Sequence, residues 1–292
     1  MAKVGRTALV TGAGKGLGAA FANGLARDGC AVIINNRSHD GKENSAESFA
    51  ANLRQRGYEA TADSLAVDKP GAAQKIISSI LTQYGSLDVL VLNAGIAGPA
   101  AKVGSLKDRD IRHVMEVNFH ANTALVDAAL PYLLESSSGR IVFVASSAGL
   151  YGVRGRAAYA ASKGAIVAYA RSLAAELADT DIRVNILAPY AATAMTKAIA
   201  ETSDPMLEPQ YATAAAVWLC RPECERTGEI WTTGANYFCR TAVVEGLGGG
   251  SAEADPEWFG RHADQLATLT GGQEYGGAEA AFTDFLRRSN TK

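Results

Sequence analysis

The sequence predicts an α/β fold in which a mostly parallel sheet carries helices on both faces. Two observations lead there. Short, uninterrupted apolar runs alternate with helical patterns from Thr7 to about Thr232, and this alternation is what a parallel sheet with crossover helices requires. The runs also lack a polar face, as expected of strands buried on both sides.

Taken in order, Thr7-Ala8-Leu9-Val10 is the first predicted strand, closed by a glycine-rich turn and followed by Leu17, Phe21 and Leu25 at fourfold spacing. That is a strand, loop, helix unit. Ala31 to Asn35 is the second strand. Residues 43 to 57 read as a helix with Phe49 and Leu53 inward, Thr61 to Val67 as a third strand ending at Asp68, and Ala72 to Tyr84 as a helix with Ile76, Ile77, Ile80 and Leu81 on one stripe. Leu87 to Leu92 is the fourth strand. A long helical region from about Asp108 to Leu134 carries Asn118 in its middle, where a buried amide needs a partner.

Arg140 to Ala145 is the fifth strand and delivers Ser146 and Ser147 at its carboxyl end. The Gly-rich stretch Ala148 to Arg156 reads as a loop over the sheet edge. Ala157 to Leu177 is a helix, Ile182 to Leu187 a sixth strand closed by Pro189, Tyr211 to Cys220 a helix, and Gly228 to Thr232 a seventh, edge-type strand. Residues 190 to 209 hold two prolines and no clear strand, a composition suited to a mobile cover over a cleft, or to an ordinary surface connection. Composition changes after the glycine run 246 to 250. Asp255-Pro256 is a good helix start, with Asp as cap and Pro in the first turn, and a second short helix holds Phe282, Phe285 and Leu286. The expected division is therefore 1 to 240 for the sheet domain and 241 to 292 for a helical extension, whose aromatics need burial on the core or on a partner subunit.

Composition narrows the function classes. A chain of 292 residues with 48% hydrophobic and 20% charged residues has enough material for one large core and is not extensively disordered. A net charge of -2 offers no global attraction to nucleic acid or acidic lipid, so partners are sought among small molecules. No apolar run approaches membrane-spanning length, no signal-peptide core precedes the first strand, and a cytoplasmic location is expected. Cys220 and Cys224 have a loose ligand spacing without a nearby His or second Cys pair, so the four cysteines are read as reduced and structural, with no metal.

The loop Thr11-Gly12-Ala13-Gly14-Lys15-Gly16-Leu17-Gly18 lets main chain approach a pyrophosphate, whose charge is met at the following helix N-terminus. Lys15 is followed by Gly16 and not by Ser or Thr, which excludes a Walker A loop. About 20 residues on, where a dinucleotide fold meets the adenosine ribose, stand Asn36, Arg37 and Ser38. An acid there would repel a 2′-phosphate; a neutral amide and a guanidinium accept one. With Lys15 they favour NADP over NAD, the alternative being solvated surface bases. Asp68 can reach an adenine amino group. Tyr159 and Lys163 stand four apart in an Ala-rich run, hence on one helix face, where an ammonium lowers a phenol's pKa and fits it for proton transfer. A core tyrosine followed by a solvated lysine would share that spacing.

The glycine loop, Asn93-Ala94-Gly95, Asn118, Ser146 and Tyr159-x-x-x-Lys163, in this order, resemble the short-chain dehydrogenase/reductase family over residues 5 to about 235. Ile34-Asn35-Asn36, Leu150-Tyr151-Gly152, Ala188 to Ala191, the stretch Trp218 to Cys224 and the helical tail further resemble the (3R)-hydroxyacyl-CoA dehydrogenase domains within that family, which are also classed with hydroxysteroid dehydrogenases. Those relatives carry Asp where this chain has Asn36, and most of the wider family has Gly where Tyr190 follows Pro189. The resemblance implies a single Rossmann-like three-layer domain with a seven-stranded parallel sheet, assembled as a homodimer or homotetramer. It implies Tyr159 as acid/base, Lys163 lowering its pKa and binding the ribose, Ser146 holding the carbonyl oxygen, and Asn118 holding a water behind Lys163. The cofactor would be held by Gly12, Lys15, Gly16, Leu17, Gly18, Asn36, Arg37, Ser38, Asp68, Asn93, Ala94, Gly95, Tyr159, Lys163, Pro189 and Thr193. The substrate expected is a hydrophobic secondary alcohol or ketone, a 3-hydroxyacyl thioester or a hydroxysteroid leading. The alternatives are another small carbonyl compound, or a catalytically silent NAD(P)-binding sensor or scaffold.

Overall fold

Burial on both faces explains the strands. The structure, a computed structural model, describes residues 5–38, 44–192 and 207–289, and the chain divides into two compact units, Met1–Arg240 and Thr241–Lys292. In the first unit β1 (Thr7–Thr11), β2 (Ala31–Asn35), β4 (Val89–Leu92) and β5 (Arg140–Val144) are buried at every residue. Between them lie α1 (Gly16–Arg27), α2 (Ser45–Gln55), β3 (Ala60–Asp63) and α3 (Ala72–Tyr84). Then follow α4 (Asp108–Met115), a π-helical turn at Glu116–His120, and α5 (Ala121–Glu135). After β5 come α6 (Ser147–Tyr151), α7 (Ala157–Glu176), β6 (Arg183–Pro189), α8 (Thr213–Cys220), β7 (Ile230–Gly234) and β8 (Tyr237–Thr241).

The strand order is β3-β2-β1-β4-β5-β6-β7-β8. Pairing is parallel from β3 through β7, with Leu9 beside both Ile33 and Leu90, and Val142 beside Asn185. Successive strand residues feed opposite cores. Leu9, Ile33, Leu90, Ile141, Phe143 and Ile186 pack with α3, α5 and α7, while Val10, Val32, Ile34, Val91, Val142 and Leu187 pack with α1, α2 and α8.

Two expectations change. The sheet has eight strands, not seven, so β7 is not its edge. Ala235 and Asn236 both take positive φ, 52° and 56°, and a two-residue turn of that kind folds β8 back antiparallel on β7. The predicted loop over residues 148 to 156 opens with α6, because the Ser146 hydroxyl accepts from Ala148 N and caps a helical turn there. The long helical region expected from about Asp108 to Leu134 is present, and in its middle a π-helical turn holds Asn118.

In the second unit β9 (Val244–Glu245) pairs antiparallel with β10 (Gln273–Glu274), a ladder too short to read in sequence. Between them α9 (Pro256–Leu266) starts as expected, Asp255 accepting from Trp258 N at 2.6 Å. The last helix is α10 (Ala278–Ser289), whose Arg288 bonds Gly246 O and pairs with Glu245 and Asp284. Polar contacts organise this unit, and it leaves Phe259, Phe282 and Phe285 exposed.

Candidate active site

The carboxyl ends of β1 and β4 are tied together by side chains. Thr11 Oγ1 accepts from Asn93 N and Ala94 N, both at 3.0 Å, and Asn93 Nδ2 donates to Thr11 O and Gly12 O. Asn93 thus serves as the clamp that fixes the glycine turn. Gly18 is required by the same packing: a Cβ there would sit close against Gly12 O and 2.6 Å from Asn93 Nδ2. The turn and the N-terminus of α1 face a cleft of about 600 Å³ at the point where strand order reverses, beside β1 and β4.

At one end of this cleft stand Lys15, Asn36, Arg37 and Asp68. The Asn36 amide donates to Ser45 Oγ at 2.8 Å, which turns it towards the start of α2. Lys15 and Arg37 are exposed and have no acidic partner among the described residues. Ser38 is exposed, bonds Ser64 O through its main chain, and does not line the cleft.

The other end is chemical in character. Ser146 closes β5, and its hydroxyl, which caps α6, also hydrogen-bonds the Tyr159 phenol from the first turn of α7. One turn on, Lys163 is 3% exposed, donates to Val144 O at 2.6 Å, and has its Nζ 6.0 Å from the centroid of the Tyr159 ring. Burial brings the Lys163 ammonium down to about 8. Burial raises the Tyr159 pKa above the ordinary tyrosine value, with the Ser146 hydrogen bond opposing it. The phenol is therefore protonated at neutral pH.

Asn118 is fully buried in the π-helical turn. Its Oδ1 accepts from Ile96 N at 2.7 Å, and its Nδ2 donates to Ile96 O and to Ser162 Oγ, both at 2.9 Å. The Ser162 hydroxyl passes the connection on to Tyr159 O at 2.8 Å. This amide braces the segment after β4 against the helix of Tyr159 and Lys163, and π-helical turns are frequent at functional sites for this kind of local re-aiming.

Fifteen of the residues expected from sequence meet in this one cleft: Gly12, Lys15, Gly16, Leu17, Gly18, Asn36, Arg37, Asp68, Asn93, Ala94, Gly95, Ser146, Tyr159, Lys163 and Pro189. Asn118 lies beneath it, and Thr193, with most of the expected cover 190 to 209, falls outside the described residues. Among the lining residues that sequence reading missed are Asn35, Ile96 and Val144. Their signal was position: each follows or ends a strand, at the edge where α/β sheets bind ligands. Among the described residues no group of three His, Cys, Asp or Glu side chains is poised for a metal, and no helix is long and apolar enough to cross a membrane.

The cleft suits a dinucleotide on its own geometry. A cradle that a single Cβ would fill faces a helix N-terminus, two cations without acidic partners lie at the adenosine end, and a buried lysine at the other end has donors to spare after Val144 O.

Comparison with known proteins agrees. The sequence profile described as short chain dehydrogenase matches residues 6–204. Peroxisomal multifunctional enzyme type 2 of Mus musculus is 33% identical over 250 residues, 84% of this chain and 34% of that protein. The full-length peroxisomal multifunctional enzyme type 2 of Drosophila melanogaster has a solved structure similar to this chain with a TM-score of 0.80 at 26% identity, covering 99% of this chain and 50% of that one. A short chain dehydrogenase of Shigella flexneri solved in complex with NADP has a TM-score of 0.72 at 30% identity, over 80% of this chain and 97% of that one. This chain spans about a third of the length of the mouse relative.

Proposed function

This chain belongs to the short-chain dehydrogenase family and is an NAD(P)-dependent oxidoreductase, and from that premise we propose that it moves a hydride between NADP and a hydrophobic secondary alcohol or ketone, with Tyr159 as acid/base. The observation that carries this reading is the Tyr159 phenol, hydrogen-bonded by Ser146 and followed one turn on by a buried Lys163, at the floor of the dinucleotide cleft. The bound cofactor supplies or accepts the hydride. The chain's own residues do the rest. Ser146 holds the substrate oxygen and shares its developing charge. Tyr159 gives that oxygen a proton in reduction and takes one in oxidation. Lys163 keeps a cation beneath the site and holds the ribose, and Asn118 keeps the floor in register.

Lys15 and Arg37 support NADP, since a guanidinium and an ammonium answer a 2′-phosphate. Tyr151, Val153 and Tyr190, which stand near Ser146, Tyr159 and Pro189 in the sequence, are exposed, in keeping with an apolar substrate. A 3-hydroxyacyl thioester or a hydroxysteroid leads, and we also propose a cytoplasmic homodimer or homotetramer.

The test incubates the protein with NADP or NAD and a panel of hydroxyacyl thioesters, hydroxysteroids and simple secondary alcohols, following nicotinamide absorbance. Reduction of NADP by a hydrophobic member is expected. Cofactor binding without turnover across the panel would favour a silent sensor instead. Arg37→Ala should weaken NADP roughly tenfold or more, as loss of a charge-assisted hydrogen bond implies, and leave NAD unchanged; an unaltered NADP dissociation constant overturns the preference.

A further inference from the structure

Asn122 is 1% exposed in the first turn of α5, four residues after Asn118. Its Nδ2 donates to the main-chain oxygen of Asn118 at 2.6 Å, while its Oδ1 is buried and meets no hydrogen-bond partner among the described residues. A carbonyl can only accept, so this contact sets which way the amide points. An asparagine in a helix is a poor helix former, and a buried amide satisfied on one side only costs more than an apolar side chain of that shape. What it supplies in return is a donor to one particular carbonyl.

That carbonyl lies where the helix changes its pairing. The N-H of Ala121 reaches back to Glu116 O, five residues, and the regular ladder resumes only beyond it. From Asn118 the contacts run to the reacting groups: its amide to Ser162 Oγ, and Ser162 Oγ to the main-chain oxygen of Tyr159. A Cβ built on Gly95 would lie 3.2 Å from Asn118 Oδ1 and 3.5 Å from Lys163 Nζ, so the amide and the ammonium converge on one spot. We propose that Asn122 is a positioning residue for proton transfer, which anchors the π-helical turn by its bond to Asn118 O and so keeps Asn118, Ser162, Tyr159 and Lys163 in register. The inference rests on the reading of Tyr159 and Lys163 as the proton-transfer pair. The other titratable groups on the same cleft are Lys15 after β1, Arg37 after β2 and Asp68 after β3, and none of them belongs to the elements that Asn122 anchors.

The experiment compares Asn122→Leu, Asn122→Ala and Asn122→Ser in the full chain with NADP and the substrate found above. Leu keeps bulk without a donor, Ala removes both, and Ser has a hydroxyl that can donate to the carbonyl four residues back. Expected are a fall in kcat of roughly tenfold or more for Leu and Ala, the scale on which small misplacements act, cofactor KM within about twofold, and an upward shift of the alkaline rise of kcat in the oxidation direction. Ser should restore kcat and the pH profile. If Leu fails to fold, the similarly sized Ala and Ser variants decide. Wild-type kcat and pH profile in Ala, or Ser as impaired as Ala, overturns the proposal, whatever happens to Tm. Tyr159→Phe is run beside them: if it keeps turnover, the functional reading itself has failed, whereas its inactivity alongside a wild-type Ala variant sinks only the role of Asn122.

Discussion

Lys163 carries a cost that can be measured. Burial holds its pKa at about 8 against 10.5 for the free side chain, so the unfolded chain binds this proton more tightly than the folded one. The group therefore opposes folding in full below about 8, and the penalty fades as pH rises from 8 to 10.5. In urea unfolding without cofactor, the wild type should gain on Lys163→Met by roughly 2 to 3 kcal/mol between pH 7 and pH 10, the free-energy equivalent of that displacement. A gap that stays constant with pH contradicts a buried ammonium at this position. At this scale Tyr159, Lys163 and Ser146 were legible from residue type and order. Asn122 was not, because its partner is a main-chain oxygen in a π-helical turn, and no side-chain spacing announces such a turn.

Among the elements, α6 and α7 show how closely the site is tied to helix packing. A Cβ on Gly149 would lie 2.6 Å from the main-chain carbon of Lys163 and 2.7 Å from Gly164 N. Gly149→Ala should therefore lift α6 from α7, destabilise the fold by about 1 to 3 kcal/mol as overpacking does, and carry Ser146, the cap of α6, away from the phenol. A thermal melt and steady-state kinetics check this: kcat falls more than cofactor affinity, whereas unchanged Tm and kcat would refute the close contact. The same glycine explains a misreading, since a Gly-rich stretch reads as loop in sequence even where glycine serves close helix approach. Strand β2, by contrast, was legible to the residue because five consecutive positions are buried on both faces. The edge strand β8 was not, because Tyr237, Phe238 and Arg240 are exposed and its turn, Ala235-Asn236, lacks the usual glycine.

For the whole molecule, the strand-helix alternation dictated the layers, and the layers bring residues from Gly12 to Pro189 to one sheet edge. The division after Arg240 follows the change in composition near the glycine run, but the second unit's internal order, built on Arg288, Asp284 and Tyr275, depends on side-chain geometry that no apolar period reveals. Proton transfer is assigned to one phenol within a cofactor site that the rest of the chain builds. Replacing Tyr159 with Phe and measuring turnover together with the NADP dissociation constant addresses that assignment most directly. The predicted result is a loss of kcat of about 10² to 10⁴, the usual worth of general acid/base catalysis, with NADP affinity within about twofold; turnover near the wild-type rate would contradict it.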